Sequence, residues 1–158
     1  MISIDDLLGG RTAPARPRYI VRCSYGNDSI AMLQLMSEHR LTDVTVVYSD
    51  TGWACEDWDD RVQRGEAWVR SLGWEPVRLP SVGMEELVYT RTKEGMWPTR
   101  LAKFCTPELK IRPFLEWVSS ADPDRRALVC VGVRRSESPQ RANHPPFMPH
   151  KDEGRHVW

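Results

Sequence analysis

Tyr19-Ile20-Val21-Arg22-Cys23-Ser24-Tyr25-Gly26-Asn27-Asp28-Ser29-Ile30-Ala31-Met32-Leu33 passes from a strand-like apolar run, through a short polar turn, into a helix-like run. This stretch decides the fold. A strand, a glycine-bearing turn and a helix are how α/β proteins hold a phosphate. N–H groups of the turn and the first helical turn lack intrahelical partners, and the helix dipole favours negative charge there. The turn is not a Walker loop, because no lysine follows Gly26. It is not the dinucleotide fingerprint either, because it holds a single glycine. Ser24, Tyr25, Gly26, Asn27, Asp28 and Ser29 are therefore candidate phosphate-binding residues. The competing reading is an ordinary strand-to-helix turn capped by Asp28 or Ser29.

Working outward, the pattern predicts a first strand over 19–24 and a helix over 29–38. That helix is apolar nearly all round and should be well buried. A β-branched run over 43–49 suits a buried parallel strand. Trp58, Val62, Gly65, Val69 and Leu72 fall on one face of a helix over 57–72, which Gly73 ends. A third strand over 74–79 and a short helix or turn over 84–89 follow. Residues 90–104 are basic and read as a loop over the site. Thr106 at the N-cap and Pro107 at the first helical position open a helix that Pro113 should break, with a second helix to about 119. A fourth strand covers 126–133, and the chain is polar and proline-rich after Arg134. The reading is α/β: a doubly wound parallel sheet in one domain, 19–158, behind a flexible leader, 1–18. Ligands of such sheets bind outside the carboxyl ends of the strands. Loops 24–29, 49–56 and 132–141 should converge there.

The 158 residues are 41% apolar and 28% charged, ordinary for one globular domain. Twenty-two basic side chains balance 22 acidic ones, so no global field draws the chain onto nucleic acid or membrane. No apolar run approaches the roughly 18 residues of a membrane span. The start, with Asp5 and Asp6, lacks a secretory pattern, and a cytoplasmic location is expected. Cys23, Cys55, Cys105 and Cys130 form no C-x-x-C pair, and Cys23 and Cys130 read as core residues. His144, His150 and His156 read as solvated, not as metal ligands. Trp53 and Trp97 fall on site loops, where they could stack on adenine.

Three further blocks carry chemistry. Asp50, in Ser49-Asp50-Thr51-Gly52-Trp53, stands at a strand end. It could accept from a ribose or an amine, hold Mg²⁺, or only cap a turn. In 104–113, Lys110 and Arg112 lie near a helix start where cations can reach an anion, and Cys105 sits just before it, a place that lowers a thiol's pKa. After the fourth strand, Arg134, Arg135 and Arg141 cluster with Ser136 and Ser138 against one acid, Glu137. Guanidinium groups grip phosphate or sulfate in two-pronged fashion.

Together the blocks resemble the phosphoadenylyl-sulfate (PAPS) reductase family of the PP-loop superfamily, over about 19–141. Ser24, Gly26, Asp28 and Ser29 match its Ser-Gly-Gly-x-Asp-Ser loop, with Tyr25 in place of the first glycine. Residues 48–53 resemble its Phe-x-Asp-Thr-Gly segment, Cys105-Thr106-x-x-Leu109-Lys110-x-x-Pro113 its phage and bacterial Cys-Thr-x-x-Leu-Lys-x-x-Pro segment, and Gly132-x-Arg134-Arg135-x-x-Ser138-x-x-Arg141 its arginine loop. The resemblance implies a Rossmann-like, adenine nucleotide α-hydrolase-like fold. It implies a nucleotide-binding set of the 24–29 loop with Asp50, Thr51, Gly52, Arg134, Arg135, Ser138 and Arg141. Lys110, Arg134, Arg135 and Arg141 would neutralise the phosphate–sulfate groups. The family's nucleophilic cysteine lies in its C-terminal tail; here Cys105, the one cysteine placed near the site, is the candidate nucleophile. The family's C-terminal Glu-Cys-Gly-Leu-His tail does not occur, and the chain reads as short where relatives continue. The paired cysteines of iron–sulfur relatives do not occur either, so no cluster is expected.

Three functions compete. In the first, a thiolate takes sulfur from a sulfonucleotide such as PAPS and a thioredoxin-type partner releases sulfite. In the second, an ATP pyrophosphatase with Mg²⁺ adenylates a substrate for sulfur or nitrogen transfer, a nucleobase or protein acceptor included. In the third, the domain binds nucleotide without catalysis.

Overall fold

The computed structural model describes residues 18–92, 97–99, 103–152 and 154–158. Six strands form one sheet in the order β3-β2-β1-β4-β6-β5, with β1 Tyr19–Arg22, β2 Val44–Ser49, β3 Glu75–Leu79, β4 Leu128–Val131, β5 Met148–Asp152 and β6 Arg155–Val157. All neighbouring pairs are parallel except β5 with β6, at the edge. Helices α1 (Asn27–Glu38), α2 (Glu56–Ser71), α3 (Met84–Thr92), α4 (Arg112–Ala121) and α5 (Pro139–Ala142) fill the connections.

Successive residues of β1 face opposite sides, as the period of two requires. Tyr19, Val21 and Cys23 join Leu33 and Met36 of α1 and Val62 and Val69 of α2 in one core. Ile20 joins Phe114 and Val118 of α4, with Val47, Leu79 and Val129, in the other. The sheet is thus covered on both faces. The chain leaves β1 toward β2 and leaves β4 toward β6, so the strand order switches between β1 and β4. Side chains from the carboxyl ends of those two strands meet in the crevice this creates.

Several expectations need correction. Helix α1 buries only Ser29, Leu33 and Met36, and Leu35 is 47% exposed, because a single sheet face covers it. Thr106 does not cap a helix. The chain is already helical at Cys105, and a π-helical turn, Pro107–Ile111, runs directly into α4. Nor does Pro113 break the helix. Arg112 N–H bonds to Pro107 O in the wider register, and the proline falls within the first turn of α4, where an N–H is not needed. The polar tail after Arg134 holds two strands of the sheet, β5 and β6. Arg18, at the end of the expected leader, is part of the fold: its Nη1 donates to Ala121 O at 2.8 Å. The rest of the leader and much of the 90–104 loop lie outside the described residues.

Candidate functional site

At the carboxyl edge of β1, β2 and β4 lies a cleft of about 610 Å³. Ser24 and Ser29 line it from the first loop, and Ser49, Thr51, Trp53, Ala54 and Cys55 from the second. Gly132 and Arg141 come from the loop after β4, and Thr106 and Lys110 from the π-helical turn. Phe114 and Trp58 add apolar wall. Its charged lining residues are Arg22, Lys110 and Arg141; among the described residues no carboxylate lines it. In a chain of zero net charge, this concentration of one sign is local and favours an anion.

The first loop explains why. Ser24 N–H donates to Ser29 Oγ at 3.2 Å, and the two hydroxyls are 3.2 Å apart. Gly26 takes the N-cap position of α1, and no side chain caps the helix among the described residues. Neither Asp28 nor Ser29 caps the helix, so the first amides of α1 remain available to an anion. Arg134 Nε is 3.8 Å from Asp28 Oδ2, both side chains more than half exposed. Such a pair holds Arg134 only weakly.

The remaining candidates divide. Asp50 is not among the lining residues. Its Oδ1 accepts from Gly52 N–H at 2.9 Å, and its carbonyl from Ser81 Oγ at 2.6 Å. Gly52 has φ +61, the left-handed backbone that the tight turn demands of a glycine. Arg135 is not among the lining residues of this cleft; it lines a second cavity with His144, Lys151 and Trp158. His144 is thus half-buried against Pro145 and His156 packs on Phe147, so the two are not simply solvated side chains. Ser138 Oγ accepts from Arg141 N–H, starting α5, and Arg141 Nη1 pairs with Glu137. Asn27 is tied to Arg61.

Two placements differ from the sequence reading. Tyr25 does not line the cleft: its side chain is fully buried against the core. Cys105, half-buried within the first helical turn, is not among the lining residues, whereas exposed Cys55 is, at the N-cap of α2. Sequence reasoning also missed Arg22, whose guanidinium lies 4.8 Å over the Phe114 ring and borders the cleft. Its signal was a charge at the last position of an otherwise apolar strand. Burial pushes the thiol of Cys23 up to about 11 and that of Cys130 up to about 12. Both stay protonated near neutrality. Iodoacetamide at pH 8 should therefore label Cys55 first and leave Cys23 and Cys130 unmodified in the folded protein, as read by peptide mass.

A glycine-bearing turn at the switch point of a doubly wound sheet places the chain among the adenine nucleotide α-hydrolase-like folds. Within that class it belongs to the phosphoadenosine phosphosulfate reductase domain family, whose model matches residues 18–157. Among curated proteins, none matches the sequence. Three solved structures share the fold. The PAPS reductase of Candida auris, in a phosphate complex, is 14% identical with a TM-score of 0.59, over 90% of this chain and 64% of that one. The U34-tRNA thiolase NcsA of Methanococcus maripaludis, with its [4Fe-4S] cluster, gives 16% and 0.55, over 84% and 44%. The NH3-dependent NAD synthetase of Campylobacter jejuni, with nitrate, gives 15% and 0.52, over 78% and 50%. The chain spans less than two thirds of each.

Proposed function

We propose that the cleft binds an adenine nucleotide and that the protein acts at the nucleotide's phosphate–sulfate group. The reaction is thiol-dependent sulfonucleotide reduction. One observation carries the reading: three cations, three serines and a helix N-terminus without a side-chain cap face one crevice that no carboxylate lines among the described residues. The 24–29 loop would hold phosphate oxygens, Lys110 and Arg141 the sulfate end, and Trp53, 65% exposed on the wall, the base. The family membership and a relative solved with phosphate support the same assignment.

In the chemical step a thiolate attacks the sulfate sulfur and the bond from sulfur to phosphate oxygen breaks. The nucleotide leaves with that electron pair, and the enzyme keeps an S-sulfonated cysteine. A thioredoxin-type dithiol then supplies two electrons, releasing sulfite. Cys105 and Cys55 are the two thiols to compare, and the geometry favours Cys55 because it lies on the cleft wall. Cys55→Ser should abolish sulfite release while ATP affinity, read by calorimetry, stays within twofold. Cys105→Ser should keep turnover. Sulfite release surviving both substitutions would remove thiol chemistry from the reading.

A second reading, an ATP pyrophosphatase, is favoured by the same uncapped helix N-terminus, which suits a leaving pyrophosphate as well as a sulfate. It needs Mg²⁺, and the residues present do not fit a resident cation: Asp50 is engaged by Gly52, and the cleft lining is cationic. The metal would arrive on the phosphates of ATP. Pyrophosphate release without sulfite selects this reading; nucleotide binding with neither product reduces the domain to a binding module.

A further inference from the structure

Tyr25 occupies the one position where the loop departs from its family pattern, and the structure shows what the change does. Its backbone is left-handed, φ 55, a conformation unusual for a bulky residue. Its ring is 0% exposed, 5.8 Å from the Tyr48 ring, and lies across Gly65 of α2. A Cβ on residue 65 would stand 2.3 Å from Tyr25 Cδ1 and 2.6 Å from Cε1. Gly65 is therefore a slot cut in the helix for this ring. One turn earlier, Arg61 Nε donates to Tyr25 O at 2.6 Å and its Nη2 to Asn27 Oδ1 at 2.6 Å, with the guanidinium 5.4 Å over Trp58. Strained backbone of this kind persists only where the surroundings over-determine it.

We infer that Tyr25, Gly65 and Arg61 are positioning residues that lock the phosphate loop onto α2. The ring in its slot replaces the conformational freedom of the missing glycine, and Arg61 holds the Tyr25 carbonyl and the Asn27 side chain on either side of Gly26 in sequence. The inference rests on the reading that residues 24–29 hold nucleotide phosphate. It also explains why the Tyr25 hydroxyl has no hydrogen-bond partner among the described residues: the ring's shape is used, not its phenol. Burial moreover pushes that phenol's pKa up, keeping it neutral. Cys55, on the cleft wall, is the N-cap of α2, so one helix references both the loop and the thiol.

The test combines ATP affinity by calorimetry with amide exchange of residues 24–29 in the ligand-free protein. Gly65→Ala should weaken ATP binding at least tenfold and speed exchange of the loop. Adding Tyr25→Gly, which empties the slot, should cancel most of that loss relative to Tyr25→Gly alone. Tyr25→Phe should bind within twofold of wild type. Arg61→Lys keeps the charge but lacks the planar fork whose spaced donors reach the Tyr25 carbonyl and the Asn27 amide together, so it should lose as much as Arg61→Gln. Additive effects of the 25 and 65 substitutions, full affinity in Arg61→Lys, or unchanged loop exchange in Arg61→Gln would each overturn the lock. A wild type that binds no adenine nucleotide fails the functional reading instead, because the exchange measurement needs no ligand.

Discussion

Replacing Asp122 with alanine should remove about 3–5 kcal/mol of folding free energy, read as a lower urea midpoint. Asp122 is 6% exposed and Arg155 1%. Arg155 Nε donates to Asp122 Oδ2 at 2.7 Å and its Nη2 to Val118 O at 3.0 Å. The same carboxylate accepts from Arg126 N–H at 3.1 Å and Ala127 N–H at 3.3 Å. The alanine strips a buried guanidinium of its carboxylate and two backbone donors of their acceptor. Set against the roughly 5–15 kcal/mol of a whole domain, the loss is large. Arg155→Met should cost less, because the carboxylate it leaves keeps both backbone donors and the methionine fills the space. The order of the two losses is the diagnostic. A loss below about 1 kcal/mol in Asp122→Ala would mean that β6 is not anchored through this pair.

The pair also shows where the sequence stops being legible. The parallel core could be read from Tyr19–Val21, from the β-branched run at 44–47 and from the 3.6-residue spacing on α2, because each buries one periodic face. Convergence of the three loops followed from strand direction alone. Strands β5 and β6 could not be read. β5 contains Pro149 and Lys151, tolerable only because it is an edge strand, and β6 is three residues long with a charge at its most buried position. Arg155 looks like surface until Asp122 is placed beside it. Tyr25 misled for a related reason. Its position in a phosphate-loop pattern suggested the cleft, but a positive φ and a glycine forty residues later turn the ring inward. Gly65 carried the missing signal: a glycine inside a helix marks a close approach. Ser24, Ser29, Lys110 and Arg141 of the cleft were named from sequence, whereas Arg22, Cys55 and Arg61 emerge only from the packing.

Lys110→Ala and Arg141→Ala should each weaken binding of ATP by about 10–100-fold, the range expected when one hydrogen bond to a charged group is lost. Both line the cleft from elements that the fold holds in place. Ser49 Oγ donates to Lys110 O at 3.4 Å, tying the π-helical turn to the end of β2. Arg141 sits on a short helix that Ser138 caps, with Glu137 steadying its guanidinium. A phosphate entering the cleft competes with Glu137, so Glu137→Gln should leave affinity unchanged or raise it. The control is Arg112, a cation two residues from Lys110 that is 64% exposed and paired with Glu108 at 2.8 Å. It is not among the cleft-lining residues, and Arg112→Ala should bind ATP within twofold of wild type. Because the cleft's attraction is electrostatic, affinity should fall with added salt in the wild type and fall less steeply in both cleft variants. Equal losses for Arg112→Ala and Lys110→Ala would reduce the site to diffuse positive charge. An Arg112 variant that binds normally, beside cleft variants that do not, would fix the anion between the π-helical turn and the arginine loop.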